Sequence, residues 1–235
     1  MDQIDYSEYL VIENNVIKGF VLNNEGAPYY QGRKIRIPAG ITRIEAESFN
    51  NNKSLKKVFV TDTSLKSIGW GAFTNSSLEY FEFLDNSITS IENEAFQNCP
   101  FSLEDYNYNF VLPEGLTSIG SNALNNIFNN MYNTTLHIYV PHTVTTMRTF
   151  AIGFIKAGEV TITIGNSTNL SSLIIDPAYC PIIGSNRDNG AWANTDIKYI
   201  NFYTNTYSKV DLENMNAIYG IDYLTVSILN GNEEG

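Results

Sequence analysis

A chain of 235 residues that is 43% hydrophobic and only 17% charged can bury a continuous core, which excludes wholesale disorder. Its 14 basic residues stand against 25 acidic ones, a net charge of −11, and an acidic surface repels a phosphate backbone, which excludes nucleic acid as a general partner. The two cysteines, Cys99 and Cys180, make neither a disulfide framework nor a zinc spacing, and no run approaches the roughly 18 apolar residues of a membrane span, so no membrane insertion is expected.

The opening Met1-Asp2-Gln3-Ile4-Asp5 is acidic and has no apolar stretch, so no secretory signal is expected in this chain. Residues 1–34 read as an N-terminal capping hairpin. Leu10-Val11-Ile12 and the segment from Val16 to Phe20 flank a turn at Asn14-Asn15. Residues 33–66 then carry eight cations, Arg33, Lys34, Arg36, Arg43, Lys53, Lys56, Lys57 and Lys66, against three carboxylates. That cluster either attracts an acidic partner or forms a solvated edge.

From residue 35 one pattern recurs. Two aliphatic residues three apart are followed, five positions after the second, by a large apolar residue. The copies are Ile41/Ile44/Phe49, Leu65/Ile68/Phe73, Ile88/Ile91/Phe96, Leu116/Ile119/Leu124 and Val144/Met147/Ile152. The second aliphatics lie 24, 23, 28 and 28 residues apart. Between copies sit short alternating segments: Ile35-Arg36-Ile37, Val58-Phe59-Val60, Phe81-Glu82-Phe83, Phe110-Val111-Leu112, Ile138-Tyr139-Val140 and Ile200-Asn201-Phe202. Pro38, Pro113 and Pro141 end three of them, since proline has no N–H for a ladder. A unit this short cannot bury its own apolar face, so equivalent residues must stack into ladders along a solenoid.

The fold class expected is therefore a mainly β repeat solenoid over residues 35–204. Each rung has one short strand with an irregular or briefly helical return. After residue 153 the register loosens. Val160–Ile164 reads as a strand, and Leu170-x-x-Leu173-x-Ile175 as a further candidate. Ile183-Gly184 with Ala191-Trp192 reads as one more unit stretched by an insertion at 185–190, with Trp192 in the core ladder. Residues 205–235 read as a C-terminal cap, with a short helix over Lys209–Asn216 and a final strand over Tyr223–Leu229.

Ile37-Pro38, Ile68-Gly69, Ala95-Phe96-Gln97-Asn98-Cys99 and Leu116-Thr117-Ser118-Ile119-Gly120 resemble the repeat of the BspA-like leucine-rich repeat family. The resemblance covers about residues 35–152, and residues 9–34 look like that family's leading hairpin. It implies surface-associated binding of host or partner proteins, in bacteria and some protists, and so a cell-surface or extracellular location.

Residues that could carry chemistry are scattered. His137 and His142 flank a strand with no partner at metal or nucleophile-activating spacing. Cys99 falls at the repeat's cysteine position and reads as a small buried apolar residue. Glu92 and Glu94, and Glu104-Asp105, do not face one another across a cleft as a glycosidase pair must. The Asn-x-Ser/Thr sites at Asn52, Asn75, Asn133, Asn166 and Asn169 reflect asparagine-rich turns. No enzyme, no cofactor and no metal is expected.

The outward positions of the strands are the better lead. One row reads Arg36, Phe59, Glu82, Val111, Tyr139 and Asn201, and its neighbour Lys34, Lys57, Tyr80, Asn109, His137 and Tyr199. Rings beside cations suit a protein contact, and they equally suit stacking between neighbouring strands. Lys34, Arg36, Lys57, Phe59, Tyr80, Glu82, His137 and Tyr139 are the candidate partner-binding residues, forming one strip. Loops near 103–109, 125–135 and 185–190 compete with that strip. The function expected is a non-enzymatic binding or adhesion module that presents a sheet face to a protein or glycan ligand. The alternative is a structural part of a larger assembly, such as a virion fibre or surface appendage.

Overall fold

The structure, a computed structural model, describes residues 7–128, 131–155, 157–175, 183–184, 197–215, 218–219 and 225–229. Cys180, the 185–190 insertion and Trp192 lie outside them.

The hairpin forms as expected from β1 (Leu10–Glu13) and β2 (Val16–Phe20), paired antiparallel. Asn14 and Asn15 close it with φ of 50° and 64°. Two successive left-handed residues make the tight turn that suits strand twist, and asparagine tolerates them.

Each following rung then contributes to two sheets. Numbered in chain order, the long-strand side holds β3 (Lys34–Ile37), β5 (Lys57–Val60) and β7 (Tyr80–Phe81) in one parallel sheet. It continues with β9 (Asn109–Val111), β11 (Met131–Val140), β13 (Ala157–Ile164), β15 (Ile197–Tyr203) and β17 (Thr225–Leu229) in a second parallel sheet. The opposite side is made of two-residue strands: β4 (Arg43–Ile44), β6 (Ser67–Ile68), β8 (Ser90–Ile91), β10 (Ser118–Ile119) and β12 (Thr146–Met147). These extend the hairpin into a seven-stranded sheet. The repeat's second aliphatic thus sits in a strand of its own. A two-residue strand has no alternation to betray it in the sequence.

Three ladders fill the space between the sheets. Ile41, Leu65, Ile88, Leu116 and Val144 are buried, as are Ile44, Ile68, Ile91, Ile119 and Met147. The third ladder stacks rings: Phe49 on Phe73 at 5.1 Å and 15°, and Phe73 on Phe96 at 5.3 Å and 1°, with Leu124 and Ile152 continuing it. Strand spacing of ~4.8 Å falls within the separation at which rings pack well, so identical residues at identical rung positions reinforce one another.

Two left-handed residues per rung turn the return. They follow the second aliphatic by three and by seven positions. The first set is Glu47, Gly71, Glu94, Asn122 and Phe150, the second Asn51, Asn75, Asn98, Asn126 and Phe154. In the second set the asparagines are tied rung to rung: Asn98 Nδ2 donates to Asn75 Oδ1, and Asn126 Nδ2 to Asn98 Oδ1, each at 2.8 Å. The fifth rung breaks the rule with Phe150 and Phe154, whose bulky side chains strain a left-handed backbone.

Beyond residue 153, β13 matches the expected strand. Leu170–Ile175 forms no strand, although Leu173 and Ile175 are buried. Side chains take the N–H groups a ladder would use: Leu173 donates to Ser171 Oγ at 3.1 Å, and Ile175 to the Tyr207 hydroxyl at 3.1 Å. β14 (Ile183–Gly184) pairs with β16 (Ile218–Tyr219). The expected helix appears as α1 (Lys209–Asn214), where Ser208 and Asp211 form a reciprocal capping box.

Replacing Phe73 or Phe96 with Ala should destabilise the fold by about 3–5 kcal/mol in urea unfolding. The two losses should not add, because the rings touch. Phe154→Asn should act in the other direction. It relieves left-handed strain and offers Asn126 the next amide of its ladder, so unfolding free energy should rise by about 1 kcal/mol. A lower melting temperature for this variant would contradict the assignment of strain.

Candidate binding surface

The outward side chains of β3, β5 and β7 are brought together in register. Lys34 lies opposite Lys57 and Lys57 opposite Tyr80, while Arg36 lies opposite Phe59. The Arg36 guanidinium sits 5.4 Å from the Phe59 ring centroid, and Lys57 Nζ 6.0 Å from that of Tyr80. Phe59 and Tyr80 are themselves in tilted contact at 5.6 Å. Both rings are half-buried, and burial pushes the Tyr80 hydroxyl above the usual phenol range. The result is a layer of rings flanked by cations on a rigid sheet.

Glu82 does something the sequence does not announce. Its Oε2 accepts the Val60 N–H at 2.7 Å, supplying an acceptor beyond the point where β7 ends. Its carboxylate is thereby committed to the edge of the sheet.

The expected strip is not one strip. Tyr106, from the insertion at 103–109, inserts between the two sheets. Its hydroxyl donates to the Phe81 carbonyl at 3.0 Å and accepts the Phe81 N–H at 2.9 Å. The next strand would otherwise supply both groups. The ring packs against Tyr80, Phe101 and Phe110, and burial pushes its hydroxyl well above the usual phenol range. A segment expected to form a surface loop therefore plugs the core and ends the first sheet.

His137 and Tyr139 consequently belong to the second sheet. There Asn109, His137, Thr161 and Tyr199 form one row, and Val111, Tyr139, Thr163 and Asn201 the next. Thr161 and Thr163 of β13 stand between residues that the sequence places side by side. The Tyr139 hydroxyl accepts from Asn166 Nδ2 at 3.1 Å and lies 3.4 Å from Glu114 Oε1. His142 Nδ1 lies 3.1 Å from Glu114 Oε2. These four make a polar cluster where the strand leaves the sheet.

Three of the eight cations of the basic cluster are paired with carboxylates. Lys56 pairs with Glu79 at 2.8 Å, and Lys57 with Asp105. Arg43 crosses two rungs to grip Glu92 with both nitrogens of its fork, at 2.5 and 3.1 Å, and touches Glu45 at 3.4 Å. Lys66 donates to the carbonyls of Thr63 and Asn86. Among the described residues no carboxylate pairs with Arg33, Lys34 or Arg36 on the first rung, nor with Lys53 or Lys66, whose ammonium groups donate to backbone carbonyls. Cys99 is fully buried against the Phe73 carbonyl and the Ser76 hydroxyl, and burial pushes its thiol up to about 12. A thiol this protonated is a poor nucleophile. Among the described residues no group of three or more His, Cys, Asp or Glu could hold a metal ion, and no helix is long and apolar enough to cross a membrane.

Residues 29–152 match the family described as BspA type leucine rich repeat region, in six copies. No curated protein matches the chain. Among solved structures, the pneumococcal vaccine antigen PcpA is similar over 88% of this chain, at 18% identity and a TM-score of 0.45. A leucine rich cell surface protein from Faecalibacterium prausnitzii A2-165 is similar over 96% of it, at 13% identity and a TM-score of 0.20. The chain spans 44% of the pneumococcal antigen and 93% of the second protein.

The charged cross-rung contacts set an acid limit on stability. The Ala46 N–H, with Lys18 and Arg43 beside it, holds the Glu45 carboxyl down at about 2, and the Arg43 fork holds Glu92 below the usual carboxylate range. A depressed folded-state pKa gives stability that is complete above the unfolded value and is lost as pH falls through the folded one. Unfolding free energy should therefore decline from about pH 4.5 towards about pH 2. Glu45→Gln and Glu92→Gln should each flatten that decline, by less than about 1 kcal/mol because both carboxylates remain partly solvated. An unchanged slope in the double variant would remove these two groups from the acid response.

Proposed function

The chain belongs to the BspA-type leucine-rich repeat family, and on that premise we propose that it is a non-enzymatic binding module of the adhesion type. It works outside the cell or at its surface and offers the β3–β5–β7 face to a protein partner. The observation that carries this reading is the cation–ring layer: Arg36 over Phe59, Lys57 over Tyr80, and the two rings against each other.

Three features support that face. Its rings are held by backbone ladders and by each other, so little conformational freedom is lost on docking. Aromatic and arginine side chains at the centre of a patch are those that dominate protein interfaces. The excess charge of Arg33 and Lys34 lies at its edge, where it would steer an acidic partner without being buried.

The test is a screen against immobilised extracellular-matrix proteins at two salt concentrations. Binding is expected to weaken as salt rises, because exposed charges are screened. Phe59→Ser/Tyr80→Ser, shown to be folded by circular dichroism, should lose at least about tenfold in affinity, the effect of two interface anchors. Full affinity in that folded double variant would move the site off this face and onto the loops.

A further inference from the structure

We propose that the opposite face carries a second, independent binding site, a groove over β8, β10 and β12 that takes a neutral saccharide chain. The groove is open to solvent, offers about 420 Å³ and is lined by Trp70, Ser90, Asn93, Ser118, Thr146 and Arg148, among others. An open groove admits an extended chain along the sheet face.

Stacking builds the groove. The residue before the second aliphatic points outward in every rung, and in register these residues are Arg43, Ser67, Ser90, Ser118 and Thr146. Four successive short hydroxyl side chains keep the floor low. The residue after the second aliphatic is Glu92 in the third rung, Gly120 in the fourth and Arg148 in the fifth. Position 120 must be glycine, since a Cβ there would lie 2.5 Å from the Asn93 backbone nitrogen and 2.6 Å from its Oδ1. That close packing keeps a third long side chain out of the row between Glu92 and Arg148.

Trp70 forms one wall. It is 44% exposed and makes no ring contact with another aromatic among the described residues. Its backbone is pinned on both sides, because its N–H donates to Glu92 Oε2 at 3.0 Å and its carbonyl accepts the Glu47 N–H at 2.9 Å. The Glu92 carboxylate is already gripped by Arg43. That wall therefore offers no net charge.

The chemistry of the occupant follows. The backbone groups of this sheet are used in its ladders, so a peptide cannot add as a strand across its face. Ile91 and Ile119 point into the core, so no apolar pocket awaits a peptide side chain. What remains is a row of hydroxyls at ~4.8 Å intervals beside one exposed indole plane, with Asn93 and Arg148 as further polar lining. Ser118 Oγ donates to Ser90 Oγ at 3.2 Å, and a hydroxyl with one such partner keeps capacity for a further hydrogen bond. A sugar offers hydroxyls along its edges and an apolar C–H face to an aromatic plane. It fits both halves of the site.

The experiment is a panel of immobilised neutral oligosaccharides, linear oligomers of glucose, N-acetylglucosamine and mannose, followed by titration of the best binder in solution. Trp70→Ala, at an exposed site, should leave the melting temperature unchanged and weaken binding at least tenfold. Ser118→Ala should weaken it severalfold, and Trp70→Phe should retain part of it. Phe59→Ser/Tyr80→Ser should bind the sugar as the parent does, which separates this site from the protein-binding face. The proposal is overturned if no neutral oligosaccharide binds at millimolar concentration, if Trp70→Ala binds as tightly as the parent, or if only the Phe59/Tyr80 variant loses the sugar.

Discussion

The contact of one phenylalanine ring with the next, Phe49 to Phe73 to Phe96, fixes what the rest of the molecule can do. Each ring fills the core only if the rung below places its own ring at the same angle and height. The backbone ladders on both sides tolerate many registers; the rings tolerate one, because a slip of a single residue turns every core side chain outward. The aliphatic ladders obey the same rule with less directional demand. Where the chain inserts residues, the register survives because the added length is packed rather than left loose. The third and fourth rungs bring in Phe101, Tyr106, Phe110 and Phe128, which close on one another at 5.2–6.3 Å.

That dependence explains what the sequence reveals and what it hides. The three ladders were legible because stacking forces like residues to like positions, and five copies at a constant offset leave little freedom. The long strands were legible from their alternation, as in Val58-Phe59-Val60. The short strands were not, because Arg43-Ile44 or Ser90-Ile91 is too brief to alternate. Tyr106 was illegible for a different reason. It lies in an insertion with no equivalent in other rungs, and it does its work through one hydroxyl on the Phe81 backbone. Pattern reading finds what repeats, and Tyr106 occurs once. The candidate strip inherited both features: its first three rungs assemble as the alternation implies, while His137 and Tyr139 fall on the far side of an interruption that alternation cannot express.

The charge distribution follows the same geometry. Residues 33–66 are basic by count, yet three of those eight cations reach forward along the stack to carboxylates of later rungs: Lys56 to Glu79, Lys57 to Asp105, Arg43 to Glu92. In a solenoid, neighbours in space are a rung apart in sequence, so a segment's net charge describes its surface poorly. Arg33, Lys34 and Arg36 of the first rung meet no carboxylate among the described residues, which leaves a cation excess beside the ring layer of β3 and β5.

The core also separates the two faces. Every rung spends its fixed positions on the ladders and leaves the outward rows free to vary. Those rows differ in kind. On the long-strand side of the first rungs they hold rings and cations, on the short-strand side hydroxyls, one indole, Arg148 and a self-neutralised ion pair. A side chain cannot move from one character to the other without crossing the phenylalanine stack, and the stack does not yield. Two ligands on opposite faces would therefore meet neither each other nor a shared mobile element. Any coupling between them would have to travel as a shift in rung register, which is what the rings resist.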